Sequence, residues 1–173
     1  SITLRMEMID LASLVQEVAR ESGMIDKSHK IHCPQRPPLF VSADIQLLKQ
    51  ALRILMDNAV KYTPEGGQIT LDAKEQDNMA VLSVTDSGVG ISADDLPKLF
   101  DRFYRADVSR TRQTGGAGLG LSIAKWIVDS HGGIIEIMSR EGIGTRMMIR
   151  MEQTKIESVS LLTAPVPDLQ PEP

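Results

Sequence analysis

Aromatic residues are nearly missing from this chain: one Trp, two Tyr and three Phe among 173 residues. A core must therefore rest on Leu, Ile, Val, Ala and nine Met, and the 42% apolar content suffices for one globular domain. Cysteine is reduced to Cys33, which excludes an intrachain disulfide and suits a reducing compartment. Cationic excess is also lacking. A net charge of −4 without a Lys/Arg-rich stripe argues against a general nucleic-acid binder. No run approaches the roughly 18 apolar residues of a membrane helix, and no signal-peptide pattern opens the chain. The piece is expected to be soluble, although it can be a domain cut from a longer, membrane-anchored parent. There is no internal repeat.

What is present is a regular alternation of strand and helix signals. Residues 3–8 alternate as a strand, with Leu4, Met6 and Met8 on one side. Asp10 then starts a helical pattern through Leu11, Leu14, Val15 and Val18 that is expected to end before Gly23. Short strands are expected at 29–33 and 39–42, around Pro37-Pro38. Asp44 is placed to cap a long helix to about Tyr62, with Ile45, Leu48, Leu52, Leu55 and Ala59 on its apolar face. Residues 68–74 and 79–85 read as a hairpin through Gln76-Asp77-Asn78. A short helix is expected near 93–99. A second long helix runs from about Gly118 to Ser130, with Leu119, Ile123, Trp126 and Ile127 facing inward, and His131-Gly132-Gly133 closes it. Strands at 134–139 and 144–151 finish the fold. The expected class is α+β, with helices on one face of a mixed, mostly antiparallel sheet.

Three separated signals carry chemistry. Asn58 lies near the edge of a helix's apolar face, where a buried amide needs a partner. Its oxygen could coordinate Mg²⁺, a hard cation, or the side chain could simply bond nearby backbone. Lys61, one turn on, could reach a phosphate or pair with Asp57. Tyr62 could flank a nucleotide or pack at the helix end. Asp86 closes a strand, and Gly88 and Gly90 follow at alternate positions. The carboxylate can accept amino hydrogens of adenine while the glycines let backbone approach the base, although Asp-Ser-Gly is also a common turn. Gly116, Gly118 and Gly120 open a helix whose free N–H groups suit phosphates. Neither a dinucleotide fingerprint nor a Walker Gly-Lys-Ser/Thr is present. Arg105, Arg110 and Arg112 give the intervening stretch positive charge. His29-x-x-His32-Cys33 lacks a second ligand cluster and reads as structural, and His131 reads as a helix-end donor.

The order of these motifs over residues 1–152 closely resembles the catalytic, ATP-binding domain of bacterial sensor histidine kinases, in the group that includes gyrase B, Hsp90 and MutL. Residues 57–64 (Asp-Asn-Ala-Val-Lys-Tyr-Thr-Pro) look like the N box and residues 86–91 (Asp-Ser-Gly-Val-Gly-Ile) like the G1 box. Residues 99–107 (Leu-Phe-Asp-Arg-Phe-Tyr-Arg-Ala-Asp) look like the F box, and residues 115–121 (Gly-Gly-Ala-Gly-Leu-Gly-Leu) like the G2 box. Gly144-Thr145 fits the same kinases. The resemblance implies a two-layer α/β sandwich of the Bergerat type, about three helices on one face, and a flexible lid over ATP. By position it implies that Asn58 holds Mg²⁺, that Lys61 and Arg105 contact phosphates, and that Tyr62 and Tyr104 belong to the nucleotide site. Asp86 would read adenine with Thr145 beside it, Gly88 and Gly90 would shape the turn, and Gly116, Gly118, Leu119, Gly120 and Leu121 would form the lid hinge and phosphate site.

Two departures qualify the match. Many members carry a second Asn where this chain has Ile54. The phosphoacceptor motif, a His followed by an acidic residue and a downstream Thr-Pro, is absent around His29, His32 and His131. The expected function is therefore to bind Mg-ATP and supply its γ-phosphoryl group to a histidine on a separate dimerisation and phosphoacceptor domain, within a two-component system with a response regulator. Alone, the chain is not expected to autophosphorylate. The competing reading is a non-catalytic ATP-binding module whose lid docks a partner. No nucleic-acid or direct membrane contact is expected, and the domain is placed in the cytoplasm of a membrane-anchored parent. Residues 153–173, rich in Pro, are expected to form a disordered tail.

Overall fold

The computed structural model describes residues 3–101 and 120–155. The chain opens with strand β1 (Glu7–Asp10), helix α1 (Leu11–Ile25), and short strands β2 (Lys30–His32) and β3 (Phe40–Ala43). Helix α2 (Ile45–Tyr62) is followed by the hairpin β4 (Gln68–Gln76) and β5 (Met79–Asp86). A 3₁₀ turn (Leu96–Lys98), helix α3 (Gly120–Ser130) and a second hairpin, β6 (Ile134–Arg140) with β7 (Gly144–Glu152), complete it. Five strands form one sheet in the order β2-β4-β5-β7-β6, in which only the β2–β4 pair is parallel. Strands β1 and β3 make a separate antiparallel pair. The fold is thus α+β, as expected.

Hydrophobic periodicity explains the layering. Leu48, Leu52, Leu55 and Ala59 of α2 recur at helical spacing and are buried with Leu14, Val15 and Val18 of α1 and Ala124, Ile127 and Val128 of α3. The sheet supplies alternate residues: Ile69, Leu71 and Ala73 from β4, Ala80, Leu82 and Val84 from β5, and Met147, Ile149 and Met151 from β7. In the β4–β5 turn, Asp77 and Asn78 both adopt positive φ (52° and 63°), the conformation that two-residue hairpin turns require.

Side-chain caps fix how the elements meet. Asp10 Oδ1 accepts from Ala12 N–H at 3.0 Å and from Leu39 N–H at 2.9 Å, tying the start of α1 to the segment before β3. Asp44 accepts from Leu47 N–H at 3.2 Å and from Arg5 N–H at 3.0 Å. The amide hydrogens of Arg5 and Leu47 hold its carboxyl below the ordinary range. The Asp44 N–H donates to His131 Nε2 at 3.0 Å, so the other ring nitrogen carries the proton and donates to Ile127 O at 2.8 Å. His131 is a helix-end donor, as expected, and it also sets the end of α3 against the start of α2.

Several expectations need correction. α1 continues through Gly23 to Ile25, because the Asp26 N–H still finds the Ser22 carbonyl at 2.8 Å. The first strand lies at Glu7–Asp10 rather than 3–8, and it buries Ile9 while Met8 stays 59% exposed. Pairing with β3, which the local alternation does not encode, selects that register. The short helix near 93–99 is only the 3₁₀ turn. In α3, Ile123 and Trp126 are 37% and 45% exposed; the buried face is Leu121, Ala124, Ile127 and Val128. Among the described residues the helix is covered on one side alone, where the fully buried Ala124 faces the layer beneath. The F box beyond Asp101, the lid, the start of the second long helix before Gly120, and the tail beyond Lys155 lie outside the described residues.

Candidate nucleotide site

Asp86, Thr145 and Ser139 form one row of cross-strand neighbours on β5, β7 and β6. Asp86 is buried, and its Oδ1 accepts from Gly88 N–H at 2.8 Å and from Thr145 N–H at 3.2 Å. Burial pushes the carboxyl's pKa up, and the two amide donors oppose that shift. Oδ2 takes no hydrogen bond from any described residue, so a charged acceptor is held in place with one oxygen still to be satisfied. Beside it, the Thr145 hydroxyl lies 2.7 Å from Ser139 Oγ. A cavity of about 500 Å³ opens along this end of the sheet, lined among others by Asp86, Ser139, Arg140, Thr145 and Arg146.

Glycines let three segments close on one another here. A Cβ on Gly88 would sit 2.4 Å from the Tyr62 carbonyl oxygen, which accepts the Val89 N–H at 3.2 Å. The turn after β5 is thereby fastened to the end of α2. Gly90 has φ +74°, and a side chain there would meet the Arg140 carbonyl at 2.1 Å; the Gly142 N–H returns to Val89 O at 2.8 Å. A second cavity, about 390 Å³, lies between Pro64, Gly88 and Gly142.

At the other end of the site, Asn58 is half-buried and its Nδ2 donates to Ile54 O at 2.9 Å. This is the backbone bond of the bland alternative, yet it spends only the donor and leaves Oδ1 as a hard oxygen acceptor. Gly120 faces this turn of α2: a Cβ there would approach Ile54 Cγ2 to 3.3 Å and Asn58 Nδ2 to 4.0 Å. The Asn of one motif and the glycine of another, 62 positions apart, therefore adjoin. Lys61 is exposed and forms no ion pair with Asp57. Tyr62 is half-buried and Leu121 is buried. Tyr104, Arg105, Gly116, Gly118 and Leu119 lie outside the described residues.

Residues 43–155 match the family model for histidine kinase-, DNA gyrase B-, and HSP90-like ATPases. The chain belongs to that family. Within it, its relatives are histidine kinases. The ATPase domain is 49% identical to the sensor histidine kinase WalK of Bacillus subtilis over 109 residues, 62% of this chain and 18% of WalK. It is 38% identical to Bacillus subtilis YkoH, also a sensor histidine kinase, over 148 residues, 86% of this chain and 32% of that protein. The chain thus spans a third or less of these curated relatives. Among solved structures, the mycobacterial sensor histidine kinase MprB superposes with a TM-score of 0.75 at 26% identity, covering 87% of this chain and 99% of that one. Full-length ShkA in complex with AMPPNP gives 0.75 at 27% identity, over 90% and 32% of the two chains.

The ATPase domain also holds details that the motifs left open. His29 has both ring nitrogens occupied, Nδ1 by the Asp26 carboxylate and Nε2 by the Thr63 carbonyl, each at 2.6 Å. It braces the chain just after α2, as a structural residue. Ser139 was not singled out by any motif. The only sequence signal was hairpin register, since a turn at 141–143 sets residue 139 opposite Thr145.

Proposed function

We propose that the domain binds Mg-ATP and supplies the γ-phosphoryl group to a histidine on a separate dimerisation and phosphoacceptor domain of its parent kinase, which then serves a response regulator. The observation that carries this reading is the buried Asp86, whose Oδ1 is fixed by two amides while Oδ2 remains for the amino group of a base. ShkA, similar over most of this chain, binds the ATP analogue AMPPNP, which supports the same ligand here. Lys61 and Tyr62 at the end of α2 would meet the nucleotide, with Tyr104, Arg105, Gly116, Gly118, Leu119, Gly120 and Leu121 on its phosphate and lid side.

Asn58 fits a magnesium ligand, because its amide hydrogens are directed to Ile54 O and its oxygen is left to coordinate. When bound, the ion supplies neutralisation of phosphate charge. The remaining work is positioning, which suits phosphoryl transfer with little covalent chemistry from the protein. The acceptor histidine and the acidic residue beside it would come from the partner domain, so the isolated chain would not phosphorylate itself. The parent would be anchored in the bacterial membrane with this domain on the cytoplasmic side. Adding the helical partner domain in trans with labelled Mg-ATP should yield acid-labile phosphohistidine; an unlabelled partner at saturating nucleotide would refute the transfer.

A second reading, an ATP-gated module without transfer, draws support from Ile54. A methyl group, not an amide, fills the space beside Gly120. That reading requires nucleotide binding by titration calorimetry and no phosphohistidine in the labelling experiment.

A further inference from the structure

Ser139 makes three hydrogen bonds that together leave its neighbour Thr145 only one hydroxyl orientation. Its Oγ lies 2.7 Å from Ile91 N, 3.1 Å from Gly144 O and 2.7 Å from Thr145 Oγ1. An amide nitrogen can only donate and a carbonyl oxygen can only accept. The Ser139 proton therefore goes to Gly144 O, the Ile91 N–H fills one lone pair, and the Thr145 proton fills the other. Thr145 Oγ1 is left with lone pairs and no proton to offer a ligand.

From this we infer that Ser139 is a specificity-determining residue for the base, acting through Thr145. The inference rests on the ATP-site reading. Asp86 Oδ2 and Thr145 Oγ1 then form a pair of acceptors at one end of the pocket. A purine with an amino group at position 6 meets them with donors, directly or through a water. A 6-oxo purine places an acceptor at position 6, where adenine has its donor, and its N1–H lies one ring position away. An acceptor then faces an acceptor, and buried polar atoms are left unpaired. The structural reason for the arrangement is equally local. Ser139 joins the segment after the glycine turn (Ile91) to the β6–β7 hairpin, so the hydroxyl orientation is set by two backbone groups, the Ile91 N–H and the Gly144 carbonyl.

Titration calorimetry with Mg-ATP and Mg-ITP confines the change to one edge of the base, where the 6-amino group becomes a 6-oxo group and N1 gains a proton. The full chain should prefer ATP. Ser139→Ala frees the Thr145 hydroxyl to rotate and donate, so ATP should weaken about 5- to 10-fold while ITP holds or improves, as expected for one displaced neutral hydrogen bond. Ser139→Thr, which keeps the hydroxyl, should restore the ratio. Parallel losses for both nucleotides, or an unchanged ratio, would reduce Ser139 to a hairpin brace and overturn the inference. If the wild type prefers ATP and loses it in Asp86→Asn but Ser139→Ala keeps the preference, the inference alone fails. A wild type that binds neither nucleotide removes the site reading and this inference together.

Discussion

The Thr145 N–H reaches Asp86 Oδ1 at 3.2 Å across 59 positions of chain. This bond makes the end of β5 and the start of β7 a single unit, and Gly144 is what permits it. With φ +152°, Gly144 lies so close to Asp86 that a Cβ would meet the Asp86 carbonyl oxygen at 2.1 Å. The carboxylate is therefore fixed by backbone, which confers precise orientation at a cost in desolvation.

That cost gives the first prediction. Asp86→Asn keeps an oxygen for both amide donors and removes the buried charge. Its Mg-ATP affinity should fall by about tenfold or more, since a hydrogen bond to a charged group contributes roughly 1.5–3 kcal/mol. Stability should move the other way. Burial raises the Asp86 pKa, so the carboxyl favours folding below its ordinary value near 3.8 and loses that contribution as pH rises through the folded value. The melting temperature of the variant relative to wild type should thus increase from pH 3 to pH 7. A constant difference across that range would refute the burial argument.

Two glycines separate steric from conformational demands. Gly88→Ala drives a methyl into the Tyr62 carbonyl and should cost about 2–3 kcal/mol, by the cost of overpacking, with loss of nucleotide binding. Gly132 has φ +68° and open space around its would-be Cβ, so Gly132→Ala should cost about 1–2 kcal/mol and leave binding intact. Denaturant melts and titration of both variants check the contrast.

Asn58→Ala should remove the Mg²⁺-dependent part of ATP affinity and leave binding in excess chelator unchanged. The Nδ2 bond to Ile54 O is local, so thermal stability should drop by only about 1 kcal/mol. Equal losses with and without Mg²⁺ would assign Asn58 to packing.

Glu21 tests the α1–α2 seam. It pairs with Arg53 and with Lys49, the latter at 3.0 Å, and these two cations hold its pKa down at about 2, from 4.5. A depressed carboxyl stabilises the fold above its unfolded value and loses that contribution as pH falls through the folded one. Glu21→Gln should therefore lower the melting temperature slightly at pH 7. The difference should close toward pH 2 and shrink in 1 M salt, because the pairs are open to solvent.

Much of this was legible in the chain. Apolar spacing located α2, both hairpins and the buried faces of α1 and α2, because burial in a two-layer fold imposes its period directly on sequence. Asn58, Asp86, Gly88 and Gly90 could be singled out as candidates because turn geometry and ligand chemistry restrict residue type, whereas Thr145 was named only through the family resemblance. Ile123 and Trp126 were misplaced for a physical reason: an edge helix buries one side only, and its own sequence does not mark which apolar residues a neighbouring layer will cover. The first strand was misplaced because its register belongs to β3.

Sequence by itself determined the residue chemistry, the order of the motifs and the approximate place of α2 and of both hairpins, which follow from residue types and spacing among near neighbours in the chain. Only the tertiary structure decided which of those residues meet. The bond from Thr145 to Asp86, the approach of Gly120 to Ile54 and Asn58, and the three-way bonding of Ser139 depend on strand order and hairpin register. Those are set by burying the whole apolar surface at once, a condition no local window of sequence contains.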